Sequence, residues 1–162
     1  MSEPIQLIRE EMFDSLAAEA RAKPRLRINH NFHDSMDDNP HRFLNVLLKG
    51  TYLCPHRHQF PPKAESFLIL QGSIAFFIFD DSGVVQQIHT LSADGPVRGI
   101  DIAPGIWHGL LVLSERCVCF EVKPGPYRPS DDKEFASWAP REGDPRVGEM
   151  LARLEREYAL RK

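Results

Sequence analysis

The chain has 162 residues, 42% hydrophobic and 27% charged, the proportions of a globular domain large enough to enclose a core without disulfides and unlike those of a disordered segment. Its 20 Lys+Arg against 23 Asp+Glu give a formal charge of -3, so there is no global positive field to grip a phosphate backbone, and non-specific nucleic-acid binding is excluded. Cys54, Cys117 and Cys119 form no CxxC pair, which argues against a disulfide framework and a thiolate zinc ribbon.

The opening MSEPIQLIRE has no basic stretch followed by an apolar one, so it does not read as a signal peptide. The longest apolar runs, such as Ile74 to Phe79, are too short to span a bilayer. A cytoplasmic protein without membrane contact is the expectation. From Ile5 to Ala22, apolar residues recur at three- and four-residue steps, which predicts an amphipathic helix that Pro24 stops. The period then becomes two: Arg25, Arg27 and Asn29 alternate with Leu26 and Ile28, as in a half-buried strand. A polar loop carrying Asp34, Asp37, Asp38, Asn39 and Pro40 follows.

Short strand candidates then run in series: Phe43 to Leu48, Thr51 to His56, Glu65 to Leu70, Ser73 to Phe79, Val84 to Leu91, Val97 to Ala103, His108 to Leu113 and Cys117 to Val122. Turn chemistry such as Gln71-Gly72, Asp80-Asp81-Ser82-Gly83 and Pro104-Gly105 separates them. Evenly spaced short strands without intervening helices predict an all-β barrel or sandwich. A Pro-rich tail begins at Pro124, and a second helix is expected from about Pro145 to Ala159. The expected organisation is one domain over 1–162, with a helix at 5–22, a barrel core at 25–123, and a tail and helix at 124–162.

Four residues fit metal chemistry. In Pro55-His56-Arg57-His58 two imidazoles lie two residues apart, so on an extended strand both face one side while Arg57 faces the other. Glu65 opens the next strand, and His108 follows the Pro104-Gly105 turn. Three nitrogens and a carboxylate suit one divalent transition metal with one or two positions left open, and do not choose among Fe, Mn, Ni, Co and Zn.

This pattern resembles the cupin superfamily, whose first motif has a His-x-His pair, a Glu and a Gly, and whose second has a Pro and Gly before a third His. The resemblance implies a double-stranded β-helix of jelly-roll type, with His56, His58, Glu65 and His108 as metal ligands. The six residues between His58 and Glu65 exceed the commonest cupin spacing, and Val112 stands where an Asn is usual. A narrower resemblance comes from Arg27 to Asn31, Thr51-Tyr52, Phe79 to Gly83, Trp107-His108, Glu121 to Tyr127 and Phe135 to Pro140. Together these look like the WbuC-type cupin-fold metalloproteins. Members of that family resemble proteins encoded among bacterial surface-polysaccharide genes, which implies a sugar or nucleotide-sugar ligand.

Candidate ligand-binding residues are Arg25, Arg27 and Asn29 on one strand face, Glu121 and Lys123 on the last strand, and Trp107 and Tyr127. An inward Glu and Lys are costly unless paired, as in a functional pocket. Arg forks suit a phosphate, carboxylate or sugar hydroxyls if they line the pocket, and are ordinary alternation if they face solvent. Trp107 stacks on a sugar ring or, more simply, packs against the tail. His30, His33, His41 and His89 lack a motif frame and read as exposed or structural. The ligand is expected to be a small sugar-like or anionic molecule. Metal Lewis-acid isomerisation or epimerisation is the leading chemistry. Alternatives are an Fe(II) dioxygenase and a non-catalytic sugar-binding or regulatory cupin, since the fold hosts all of these. The terminal helices fit either a homodimer interface or a cap over the barrel.

Overall fold

The computed structural model describes residues 3–130 and 132–161. The ends of the expected domain, residues 1, 2 and 162, and residue 131 in the tail lie outside these. In chain order the elements are α1 (Glu10–Arg21), β1 (Arg27–Asn31), β2 (His41–Leu48), β3 (His56–Arg57), β4 (Glu65–Gln71), β5 (Ser73–Phe79), β6 (Val85–Ser92), β7 (Gly99–Ile102), β8 (Trp107–Val112), β9 (Arg116–Lys123), β10 (Glu134–Phe135) and α2 (Val147–Leu160). Two five-stranded antiparallel sheets result, ordered β1-β2-β9-β4-β7 and β10-β3-β8-β5-β6. The all-β reading holds, and the fold is a cupin jelly roll with a helix at each end.

Three apolar clusters build the layers. Between the sheets lie Phe67, Ile69, Ile74, Phe76, Leu110, Cys117 and Cys119. Phe13, Leu16, Ala17 and Ala20 of α1 cover the outer face of the first sheet at Leu44, Val46 and Val118. Met150 and Leu154 of α2 join Phe77, Phe79, Trp107 and Leu111 outside the second. With both faces covered, β5 and β8 read as nearly continuous apolar runs, and every residue of β8 is buried. The helices cap the outer faces of the sheets rather than the barrel mouth.

Several boundaries differ from expectation. Helix α1 begins at Glu10, because Ile5, Leu7 and Ile8 stay exposed and the residues that meet the sheet start at Phe13. Leu26 adopts a left-handed φ of 53°, and the alternation restarts after it, so β1 begins at Arg27 and Arg25 belongs to the turn. The segment 51–57 pairs only at His56–Arg57, since the chain there crosses between sheets and the Tyr52 carbonyl is taken by Arg27 instead of a strand (2.9 Å). Strand β10 has no periodicity of its own and exists because Phe135 pairs with His56.

Gly72, in the turn between β4 and β5, has φ +74°, and a Cβ there would sit 2.1 Å from the Arg116 carbonyl oxygen. Gly72→Ala is therefore expected to cost about 2 kcal/mol or more, from left-handed strain and the displaced backbone together, measured as a lower urea midpoint at unchanged m-value.

Candidate metal centre and cavity

Strand pairing assembles the centre. β3 and β8 are antiparallel neighbours with His56 directly opposite His108. Across the barrel, β4 alternates buried Glu65, Phe67 and Ile69 with exposed Ser66 and Leu68, so Glu65 points from the first sheet toward the imidazoles of the second. One ligand-type atom from each of His56, His58, Glu65 and His108 lies within 4.8 Å of all the others, and all four residues are buried. They are placed to bind a metal ion.

Hydrogen bonding orients each ring. His56 Nδ1 donates to the Cys54 carbonyl (3.0 Å), His108 Nδ1 to the Ile106 carbonyl (2.9 Å), and His58 Nδ1 to the Asp132 carbonyl. A carbonyl only accepts, so the proton resides on Nδ1 and each Nε2 presents a lone pair. His58 Nε2 lies 2.9 Å from Glu65 Oε1 and His108 Nε2 lies 3.1 Å from Glu65 Oε2. His58 Nε2, His108 Nε2 and Glu65 Oε2 are buried without a hydrogen-bond partner. Lone pairs crowded to about 3 Å in a dry site call for a cation between them, and outer carbonyls that fix ring tautomers are the usual support of such ligands. Burial, with Lys133 and His108 adding to it, keeps His56 well below its ordinary pKa and hence neutral. Burial would raise Glu65, but His108 and His58 outweigh it and hold the carboxyl well below its usual range.

The centre opens onto a cavity of about 430 Å³ between the sheets, the size of a small-molecule pocket. Arg25, Arg27, Asn29, Glu121, Lys123 and Tyr127 all line it. Arg27, Asn29 and Asn31 do so as one face of β1. The two arginines are already engaged, because Glu142 accepts from Arg25 Nε (2.7 Å) and Arg27 Nη2 (2.5 Å). Trp107 is the exception among the candidates. As the neighbour of His108 on β8 it faces the opposite side, where its Nε1 donates to Asp81 (2.9 Å) and Arg57 stacks over its ring at 4.4 Å. It packs with Trp138 rather than meeting a ligand. Arg57 also faces away, in a two-pronged pair with Glu134.

The inward Glu121 and Lys123 are partnered. Asn45 Nδ2 donates to Glu121 Oε2. Burial, reinforced by the neighbouring Glu65, pushes Glu121 up to about 8, so at neutral pH it is a protonated acid hydrogen-bonded to Glu65. Glu121→Gln keeps the neutral charge and a donor, and should change stability by less than about 1 kcal/mol at pH 7. Glu121→Ala leaves Asn45 and Glu65 short of a partner and should cost about 1–3 kcal/mol, the two being compared by urea unfolding. Lys123 Nζ reaches Asp132 (3.3 Å), Glu65 (3.6 Å) and Glu121 (3.8 Å), while Lys63 Nζ donates to Asp132 (2.9 Å) and the Pro126 carbonyl (2.7 Å).

Sequence reasoning passed over several lining residues. His33 and His41, read from the sequence as exposed or structural, are buried, stack at 4.1 Å and line the cavity. Asn45 shares a β2 face with Phe43 and Leu47, an alternation that could have revealed it. Asp132 and Lys133 sit in the tail, where no periodicity marks them. His89 is exposed on β6, and the half-buried His30 packs edge-on against Phe32. No helix among the described residues is long and apolar enough to cross a membrane.

Solved structures with the same fold include the capsular polysaccharide assembling protein CapF from Staphylococcus aureus (TM-score 0.56, 20% identity, 66% of this chain and 28% of that chain). Others are TT1209 from Thermus thermophilus (TM-score 0.51, 18% identity, 72% and 95%) and a recombinant oxalate oxidase in complex with glycolate (TM-score 0.52, 12% identity, 70% and 57%). The chain spans less than a third of the length of CapF. No curated protein matches it. The family described as "Domain of unknown function (DUF6016)" matches residues 8–91, just over half of the sequence, so the chain belongs to the DUF6016 family and carries it on a cupin barrel.

Proposed function

We propose that the protein is a mononuclear-metal cupin that acts on a small polar molecule, a sugar or nucleotide-sugar derivative, as an isomerase or epimerase. The observation that carries the metal reading is the convergence of His58 Nε2, His108 Nε2 and Glu65 Oε2, all buried and unpartnered, at the floor of a cavity wide enough for a ligand. A bound divalent ion would supply Lewis-acid polarisation of a ligand oxygen. Around it the chain's own groups do the rest: Phe76 and Leu110 keep that end dry, Lys123 holds positive charge beside Glu65, and Glu121 holds a proton on the cavity wall. The surface-polysaccharide setting is supported by the resemblance to the WbuC-type proteins and by the shared fold of CapF, a capsular polysaccharide assembling protein.

Metal-loaded and metal-free protein would each be incubated with a panel of nucleotide sugars and sugar acids in D2O and followed by NMR. Deuterium entering a carbon-bound position only with metal is the expected result. Oxygen consumption without deuterium exchange would replace this chemistry with a dioxygenase, and tight binding without turnover would replace it with a sensor.

A further inference from the structure

Besides the unpartnered atoms of the metal centre, the cavity wall carries two further polar groups without a partner among the described residues, His33 Nε2 and the Lys133 ammonium. His33 Nδ1 lies 3.1 Å from the Arg42 carbonyl oxygen and 3.2 Å from the Arg42 backbone nitrogen, and its Nε2 is buried with no partner. His33 is only 7% exposed. Lys133 also lines the cavity and lies within electrostatic reach of His56, Glu65, Glu121 and Asp132. Yet among the described residues its ammonium has no hydrogen bond and no ion pair, while Lys63 and Lys123 share Asp132 and the two arginines share Glu142.

The charge balance points the same way. Arg25, Arg27, Lys123 and Lys133 on the lining face three carboxylates, Glu65, Asp132 and Glu142, with Glu121 protonated, and a divalent cation at Glu65 would add to this positive excess. A ligand with a negative group relieves both the excess charge and the bare ammonium. No helix end lines the cavity and both arginine forks are taken, which leaves one ammonium without a partner among the described residues. A single ammonium balances the one charge of a carboxylate, whereas a phosphate dianion calls for a second free cation.

We infer that the ligand of this site is a small hydroxy acid whose carboxylate is held by Lys133 Nζ. This rests on the metal-cupin reading and narrows its ligand to a carboxylate-bearing polyol such as a sugar acid. Lys133 is then a specificity-determining residue, selecting acids over neutral sugars.

Radiolabelled glycolate is the probe, with neutral glycolamide and inorganic phosphate as competitors, in equilibrium dialysis of the wild-type protein with and without Co2+. Cobalt content is measured in the same samples. Wild-type protein should bind glycolate, be displaced at least about tenfold less well by glycolamide and by phosphate, and lose roughly ten- to a hundredfold in glycolate affinity in Lys133→Met at unchanged cobalt stoichiometry. Lys133→Arg, which restores the charge, should recover most of the loss. Several results would overturn the inference: no glycolate binding, glycolate affinity in Lys133→Met within twofold of wild type, glycolamide competing as well as the acid, or phosphate competing better. Absence of bound cobalt in wild-type protein would overturn the metal reading separately. Lys133-dependent glycolate binding in that case would still uphold the carboxylate site.

Discussion

Protein purified without added metal should contain about one equivalent of a divalent transition metal by elemental analysis, and His56→Ala or His108→Ala should reduce this below about a tenth of an equivalent. Each imidazole supplies one of the four ligand-type atoms that lie within 4.8 Å of one another among the described residues; His33 and His41 line the cavity outside this group, and Cys54 turns its thiol to the Pro55 carbonyl, with burial raising its pKa. Because a ligand that binds only the folded state stabilises it by mass action, metal at a hundred times its Kd adds about 2.7 kcal/mol. A chelator should therefore lower the melting temperature of wild-type protein and leave that of either variant unchanged. The ligands bind as neutral imidazole and carboxylate, so a metal takes the same atoms of His58, His108 and Glu65 that a proton would. Metal binding must displace protons, so affinity falls as pH falls, and calorimetry in buffers of different ionisation enthalpy will register the release. Unchanged metal content in both variants would place the ion elsewhere.

Asp132→Ala is expected to be the most destabilising single change outside the core, at about 3–5 kcal/mol by urea unfolding. Asp132 is 2% exposed and receives Lys63 at 2.9 Å and Lys123 at 3.3 Å. Removing it strands two buried ammonium groups beside Lys133, which has no partner among the described residues. Paired substitution of Asp132 with Lys63 by Asn and Met should cost less than the single change, because a buried charge left alone is costlier than none. The pH dependence follows. Burial would raise the Asp132 carboxyl, but Lys123 and Lys63 pull it below its ordinary value of 3.8. Its contribution is fully present above the unfolded-state value and is lost as pH falls through the lower folded one. The wild-type stability curve should drop over that acidic range, and the curve of Asp132→Asn should be flatter there.

Local regularities made much of this molecule legible. The two-residue period put His56 and His58 on one side with Arg57 on the other, and the same parity carried Glu121 and Lys123 inward on β9. It also assigned Arg27 and Asn29 to one face, which lines the cavity, although Leu26 shifted the strand that bears them. Of the two readings of Trp107, stacking on a ligand or packing against the tail, the structure has the second, because neighbours on a strand point to different faces and Trp107 points the opposite way from His108. Asp132, Lys133 and the short β10 escaped notice since the tail has no period and takes its shape from what it docks against.

What the sequence determined by itself was therefore the periodic part: an all-β barrel flanked by helices, four ligand-type residues at matching strand positions, and an inward Glu and Lys near the final strand end. These depend on side-chain alternation over a few residues, which the chain expresses wherever its strands pair. Tertiary structure alone decided which charges are spent and which are free. Arg27 meets Glu142 across 115 positions and Lys63 meets Asp132 across 69, so no local pattern could show that the arginines are engaged while Lys133 has no partner among the described residues. A nearly balanced overall charge hides the feature that matters most: in the cavity the balance is kept by specific pairs, and one cation lies outside them among the described residues.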